Sequence, residues 1–415
     1  MGMDKMVVGP DGSLQLTEEH RRRWGLLPGA EYWVRETPEG LLFRRADPPL
    51  TNLYVEPTSR CNLNCRTCVR NSWSEPLGTM EMDVYRRLVR DLRSVSSLQR
   101  VSFWGFGEPL LHPDIVEMVA LAKGLGARTQ LITNALLLDH AISQGLVDAG
   151  LDSLVVSIDG GTPEAHAAVR SGADLSLIER NVTGFRAAGK AAGRADLEVG
   201  LEFVLMRSNA GELARLHQLA NGLGASFVVI SHILPYTEDM REEILYGNYA
   251  GTCYPIYRNK WNPDVVLPRI DWQREVADPL SSLLRFTRPN DAPRGRLDGA
   301  GGYCRFVSEG SAVVAWDGGL SPCIPLMHSY TCYVMRREKR IRRYSVGNVG
   351  QEQITKLWER EEFVRFRDLV QRFEFSPCSD CGGCNFAESN EEDCFGNSFP
   401  VCGDCLWAKG VIQCP

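Results

Sequence analysis

The sequence predicts an α/β fold: a partial (β/α)6 TIM-like barrel between a small β-rich N-terminal unit and a cysteine-rich C-terminal domain. Three observations predict it. From residue 52 the chain alternates strand and helix six times, and alternation with apolar, β-branched strands implies a parallel sheet. Before residue 46, short apolar segments are punctuated by proline and glycine turns. Of the 14 cysteines, ten crowd the stretch from Cys304 to Cys414.

In order, residues 1–46 form a separate unit, with strands expected at Met6-Val7-Val8, Tyr32-Trp33-Val34 and Leu41-Leu42-Phe43. Thr17-Glu18-Glu19-His20 opens a short helix, and the order resembles the swapped-hairpin fold of the AbrB and MazE type. A docking or dimerisation module is expected here rather than a DNA reader, since a free-standing basic arm is missing. Asp47-Pro48-Pro49 marks the linker to the barrel, residues 50–234. Its strands are expected at 53–56, 100–104, 128–133, 153–158, 197–205 and 227–231. Amphipathic helices are expected near 81–95, 113–125, 138–149, 163–192 (with a break) and 210–223. Six units leave the barrel incomplete, with chemistry expected on the loops after the strand C-termini. Residues 235–303 read as a connecting segment rich in proline, glycine and aromatics, and 304–415 as the cysteine-rich domain.

A net charge of -6 argues against a global basic field for nucleic acid or anionic membrane. The run from Arg336 through Arg343 is a local exception, expected as a solvated loop or hairpin. No signal-peptide pattern or membrane-length apolar run is visible, and so many cysteines without one point to metal binding in a reducing cytoplasm.

The chemistry starts at Cys61-Asn62-Leu63-Asn64-Cys65-Arg66-Thr67-Cys68, directly after the first barrel strand. Three thiolates in so short a loop can hold three corners of a 4Fe–4S cube and leave the fourth iron open to a ligand. A zinc knuckle or three buried thiols is the plainer alternative, but zinc wants four ligands and no fourth lies near. With this CxxxCxxC spacing the chain resembles the radical S-adenosylmethionine (SAM) enzymes. That resemblance implies a cluster on Cys61, Cys65 and Cys68 that binds SAM and cleaves it reductively to a 5′-deoxyadenosyl radical.

Polar residues at further strand ends extend the resemblance. Gly105-Phe106-Gly107-Glu108-Pro109 is similar to the family's GGEP motif, with Phe106 in place of the first glycine. Its glycines allow close backbone approach to a ligand, and Glu108 offers an anion for an ammonium group. Thr133-Asn134-Ala135 is similar to the family's TNG motif. Ser157, Asp159 and Arg170 are implied as contacts for the ribose or the methionyl carboxylate, although such residues also cap helices. Glu202, Met206 and residues 230–232 rank below Glu108. Thr67 stands where the family usually has an aromatic residue beside the adenine, so the adenine must be held by other groups.

Cys304, Cys323 (in Gly318-x4-Cys323), Cys378, Cys381, Cys384, Cys394, Cys402, Cys405 and Cys414 resemble the SPASM extension, which implies one or two auxiliary 4Fe–4S clusters. Two zinc sites remain the alternative, because paired CxxC units suit zinc equally well. Cys253 and Cys332 read as ordinary thiols. The stretches from Glu56 to Cys61, Arg70-Asn71-Ser72-Trp73 and the ending from Cys402 resemble the radical SAM maturases of tungsten-cofactor oxidoreductases. The implied partners are a tungsten-dependent oxidoreductase or its pterin, with reduced ferredoxin or flavodoxin as electron donor; neither nucleic acid nor membrane is expected. Two other readings stay open: a SPASM enzyme that crosslinks a ribosomal peptide, and a non-catalytic iron–sulfur or zinc module.

Overall fold

The computed structural model describes residues 7–8, 10, 13–15, 17–18, 31–37, 40–73, 75–247, 257–259, 262–268, 270, 274–284, 304–379 and 384–413. Two compact units result, Met1–Pro48 and Pro49–Pro415. In the first, β1 (Val7–Val8) pairs antiparallel with β2 (Leu14–Gln15). A hairpin joins β3 (Tyr32–Thr37) to β4 (Gly40–Arg45), with Tyr32 opposite Arg45 and Thr37 opposite Gly40. The expected helix from Thr17 lies largely outside the described residues.

The second unit is organised by one parallel sheet. Its strands are β5 (Asn52–Val55), β6 (Arg100–Phe103), β7 (Arg128–Thr133), β8 (Ser153–Ser157), β9 (Glu198–Leu205) and β10 (Phe227–His232), all parallel to their neighbours. Each agrees with its expected strand to within a residue at either end. Helices on one side and a filled interior on the other bury both faces, as the all-buried Ser-Leu-Val-Val-Ser of β8 shows. The helices start where side chains can cap them: Asp139 accepts from Ile142 N, Thr162 from Ala165 N and Asp174 from Leu177 N. The expected break in 163–192 separates Pro163–Val169 from Leu175–Ala191, and Gly172 turns the chain there at φ +92°.

The sheet does not stop at six strands. Next to β10 lies β12 (Asn262–Val266), parallel to it, followed by antiparallel β11 (Tyr257–Asn259). Beside β5 lies β13 (Ser311–Val314), also parallel, then antiparallel β14 (Gly319–Ser321) and β17 (Gly347–Asn348). The order is β11-β12-β10-β9-β8-β7-β6-β5-β13-β14-β17. An incomplete barrel leaves two edges of unpaired N–H and C=O groups, and these additions cover both. The stretch read as a mere connector therefore supplies strands and a helix, Arg274–Leu284. Asn262-Pro263-Asp264 reads as a turn in one dimension and is drawn extended by the neighbouring edge.

The basic run folds as β16 (Arg337–Ile341), paired with β15 (Tyr330–Val334) in a hairpin. It is not wholly solvated. Lys339 is 3% exposed and donates to both oxygens of buried Asp404 at 2.7 Å. A second apolar cluster joins Val69 and Val169 to Tyr330, Leu406, Val411 and Ile412, so the cysteine-rich region packs over the strand C-termini. Among the described residues no helix is long and apolar enough to cross a membrane.

Candidate active site

The cysteine loop leaves the C-terminal end of β5 and is tied down by backbone bonds. Asn64 N donates to Ser171 O (3.3 Å), Arg66 N to Val169 O (3.0 Å) and Asn71 Nδ2 to Cys65 O (3.0 Å). Arg70 bridges the loop, donating from Nε to Cys68 Sγ at 3.2 Å and from Nη2 to Leu63 O at 2.8 Å. Cys61, Cys65 and Cys68 line one cavity of about 1090 Å³, counting the part open to solvent. Burial raises the Cys61 thiol and pushes Cys65 up to about 11, against the pull of Arg170. Three thiols on one short loop facing a cavity suit an iron–sulfur cube with one open corner, and iron bound there would deprotonate them outright.

Gly105, Gly107, Glu108, Asn134, Ser157 and Arg170 line the same cavity. Gly107 is where only glycine fits: a Cβ there would lie 2.2 Å from Thr58 O and 2.5 Å from Arg60 O. Glu108 is 2% exposed and accepts three bonds, from Thr133 Oγ1 (2.6 Å), Leu110 N (3.0 Å) and Asn134 N (2.8 Å). Burial raises its carboxyl while those donors lower it. A carboxylate offers about four acceptor sites, so roughly one is left for a ligand's ammonium. Asn134 Nδ2 reaches Asn62 Oδ1 at 2.8 Å and so braces the cysteine loop from β7.

Asp159 does not line the cavity. It is fully buried, accepts from Arg170 Nε at 2.7 Å and from Val204 N at 2.8 Å, and thereby aims Arg170. Asp159, expected to contact the ligand directly, sits behind the cavity wall and braces Arg170, which lines it. Glu202, ranked low from sequence, faces the cavity, and burial pushes its carboxyl up to about 7 against the pull of Arg170. It can hold or release a proton near neutral pH.

A further group was not singled out as a site from the sequence. Glu56 is buried at the end of β5. It accepts from Phe106 N (3.0 Å) and Trp316 N (3.3 Å), and its Oε2 lies 2.8 Å from His328 Nε2. His328 Nδ1 meets Glu75 Oε2 at 2.7 Å, and Trp73 packs edge-on against the imidazole with centroids 4.5 Å apart. Burial pulls the His328 pKa down, but its bonds to Glu56 and Glu75 outweigh that and hold it at about 9. Raised above an ordinary value near 6.5, it contributes about 3 kcal/mol to stability below that pH, lost as pH rises through 9. Urea midpoints should therefore fall between pH 6.5 and pH 9 in the wild type, and distinctly less in His328→Gln. Equal falls in both would reject the charged bridge.

The C-terminal thiols separate in space. Cys304, Cys323, Cys402 and Cys405 line one cavity, while Cys378 meets Ser376 Oγ at 2.9 Å and Cys384 and Cys394 are exposed. Cys332 is buried on β15. Cys253, Cys381 and Cys414 lie outside the described residues. Among the described residues no three metal-binding side chains converge as a single ion requires. The four thiols instead surround a shared space.

Comparisons with known proteins give two family matches: "Radical SAM superfamily" over residues 55–220 and "Iron-sulfur cluster-binding domain" (SPASM) over 304–385. A tungsten-containing aldehyde ferredoxin oxidoreductase cofactor-modifying protein of Pyrococcus furiosus is 28% identical over 376 residues, 88% of this chain and 96% of that protein. An AdoMet-dependent heme synthase of Methanosarcina barkeri is 26% identical, covering 85% of this chain and 93% of that one. The structure of Streptococcus suis SuiB bound to its precursor peptide SuiA aligns with a TM-score of 0.56 at 14% identity, over 88% of this chain and 76% of that one, a likeness of fold.

Proposed function

Because this chain is a radical SAM enzyme with a SPASM iron–sulfur domain, we propose that it matures a tungsten-dependent oxidoreductase of the aldehyde ferredoxin type by modifying its pterin cofactor or its polypeptide. The observation that carries this reading is the end-to-end similarity to the Pyrococcus furiosus cofactor-modifying protein. Cys61, Cys65 and Cys68 would hold the cluster that, with SAM, supplies a carbon-centred radical. The chain's own contribution is binding, orientation and exclusion of side reactions.

Arg170, aimed by Asp159, presents its remaining N–H groups to the cavity as a partner for a carboxylate. Glu108 has an acceptor site left for an ammonium, and the amide of Asn134 and hydroxyl of Ser157 offer polar contacts beside it. Thr67 leaves the adenine to apolar wall residues such as Val69 and Ile233. Reduced ferredoxin or flavodoxin would deliver the electron, and auxiliary 4Fe–4S clusters would sit on the C-terminal thiols.

The test is production of a tungsten oxidoreductase with and without this chain, tungsten and pterin being supplied in both. The oxidoreductase should be inactive without it, active with the wild type and inactive with Cys65→Ala. Mass spectrometry of the polypeptide and the extracted cofactor identifies what was altered. A partner fully active and chemically unchanged without this chain would reject the maturase reading in favour of peptide crosslinking.

A further inference from the structure

We propose that His328, which the cysteine-rich domain contributes, is a positioning residue for SAM: as a cation bridging Glu56 and Glu75 it fixes the loop 105–108 that receives the SAM ammonium group. This rests on the radical SAM assignment and is independent of the tungsten client.

Residues 105–108 all line the cavity that holds the cysteine loop. Their course is set by what they pack on. Glu108 N donates to Arg60 O at 2.8 Å, and Phe106 N donates to Glu56 Oε1 at 3.0 Å. A Cβ on Gly105 would lie 2.3 Å from Glu56 Cγ, so the Glu56 side chain lies directly against the loop. The loop keeps its path only while Glu56 keeps its rotamer. Glu56 Oε2 accepts from Trp316 N at 3.3 Å, which is long, and lies only 2.8 Å from His328 Nε2. On the far side His328 Nδ1 lies 2.7 Å from Glu75 Oε2, and Glu75 Oε1 accepts from Ser329 N at 2.6 Å. The imidazole also meets the rings of Trp73 and Phe106, with centroids 4.5 Å and 5.9 Å away. His328 therefore reaches the loop twice, through Glu56 to the Phe106 amide and directly on the Phe106 ring.

The geometry requires this ring to be charged. A neutral imidazole has one N–H, and its other nitrogen would turn a lone pair toward a carboxylate oxygen. Only the imidazolium donates on both sides. The ionisable groups facing the site are Glu56 on the strand end, Glu75 after the cysteine loop, Asp317 between β13 and β14, and Arg343 beyond β16. Asp317 and Arg343 pair with each other at 2.6 Å, which leaves His328 as the cation between Glu56 and Glu75. At 1% exposure, water cannot take over its bonds. Once the proton leaves, one carboxylate loses its donor and Glu56 is held less firmly against the loop.

The test uses the full chain with its clusters reconstituted anaerobically, and reads binding of radiolabelled SAM by equilibrium dialysis across pH. At pH 6.5, where the wild-type ring is charged, His328→Gln should bind SAM about tenfold more weakly, the scale of one lost charge-assisted hydrogen bond. That deficit should shrink as pH rises through about 9, because the wild type then loses its proton. Titration of SAM itself cancels in the ratio of the two affinities. Saturating SAM should restore 5′-deoxyadenosine formation by His328→Gln, so that KM rises and kcat does not fall. Glu75→Gln changes a partly exposed residue and keeps an acceptor for Nδ1 while removing one carboxylate. It should bind SAM like the wild type at pH 6.5 and begin to lose affinity at a lower pH than the wild type does. A His328→Gln chain that binds SAM as tightly as the wild type at pH 6.5 overturns the proposal. So does a deficit that stays constant through pH 9, which would make the ring a packing element alone. A Glu75→Gln affinity that follows the wild-type curve overturns it too. None of these results bears on the maturase reading, which the oxidoreductase assay decides alone.

Discussion

Replacing Cys61, Cys65 and Cys68 together by alanine should reduce 5′-deoxyadenosine formation from SAM under dithionite to background, while the iron held by the C-terminal thiols remains. The expectation follows from position. All three thiols hang on one loop that faces the cavity with Glu108, Asn134 and Arg170. The loop's shape is set by main-chain bonds from Asn64 and Arg66 to residues 171 and 169, which alanine leaves intact. Cysteine to alanine removes little volume, and Cys61 and Cys68 are only partly buried, so the fold should lose little stability. The loss is then of iron ligands and not of structure. Undiminished cleavage with reduced total iron would move the SAM-binding cluster elsewhere.

Gly107→Ala should be nearly as damaging, for a different reason. The added methyl would lie 2.2 Å from Thr58 O, 2.5 Å from Arg60 O and 2.7 Å from Ser59 C, all backbone atoms that cannot swing aside. The same place carries the bond from Glu108 N to Arg60 O at 2.8 Å. Relief requires moving residues 58–60, which lead directly into Cys61. Forced overpacking of this kind costs about 1–3 kcal/mol. Displacement of the loop should also weaken SAM binding and slow its cleavage. Gly184→Ala is the control: nothing lies within 4 Å of its added methyl, it sits within Leu175–Ala191, and helix propensity predicts a gain of up to about 1 kcal/mol. Equal stability and equal SAM affinity in Gly107→Ala and the wild type would show that the loop can yield.

The strands of the barrel were legible because each is a short apolar, β-branched run whose pairing partner is its sequence neighbour. Its edges were not. β13 lies 259 residues beyond the β5 residues it pairs with, Ser311 opposite Asn52, only because the open barrel demands a partner there. β12 is a Pro-containing polar stretch that no periodicity would pick out.

At the site, the cysteine loop could be read directly because chelation by three thiols is written in the spacing of eight consecutive residues. Glu56 drew notice only as part of a family-like stretch. Its partner His328 lies 272 residues away, and nothing in the sequence links them. Asp159 could be recognised as a strand-end carboxylate, but whether it faces the ligand or Arg170 depends on side-chain direction, which the fold sets.

The sequence alone therefore determined the α/β barrel, the position of its reactive loop and the presence of a second thiol-rich region, since each is encoded by residues close together in the chain. Only the tertiary structure decided which distant thiols share a cavity, which carboxylates are already satisfied and which still face open space. Those outcomes depend on contacts between segments hundreds of residues apart, chosen by packing and by the need to pair buried polar groups, and short-range spacing carries no record of them.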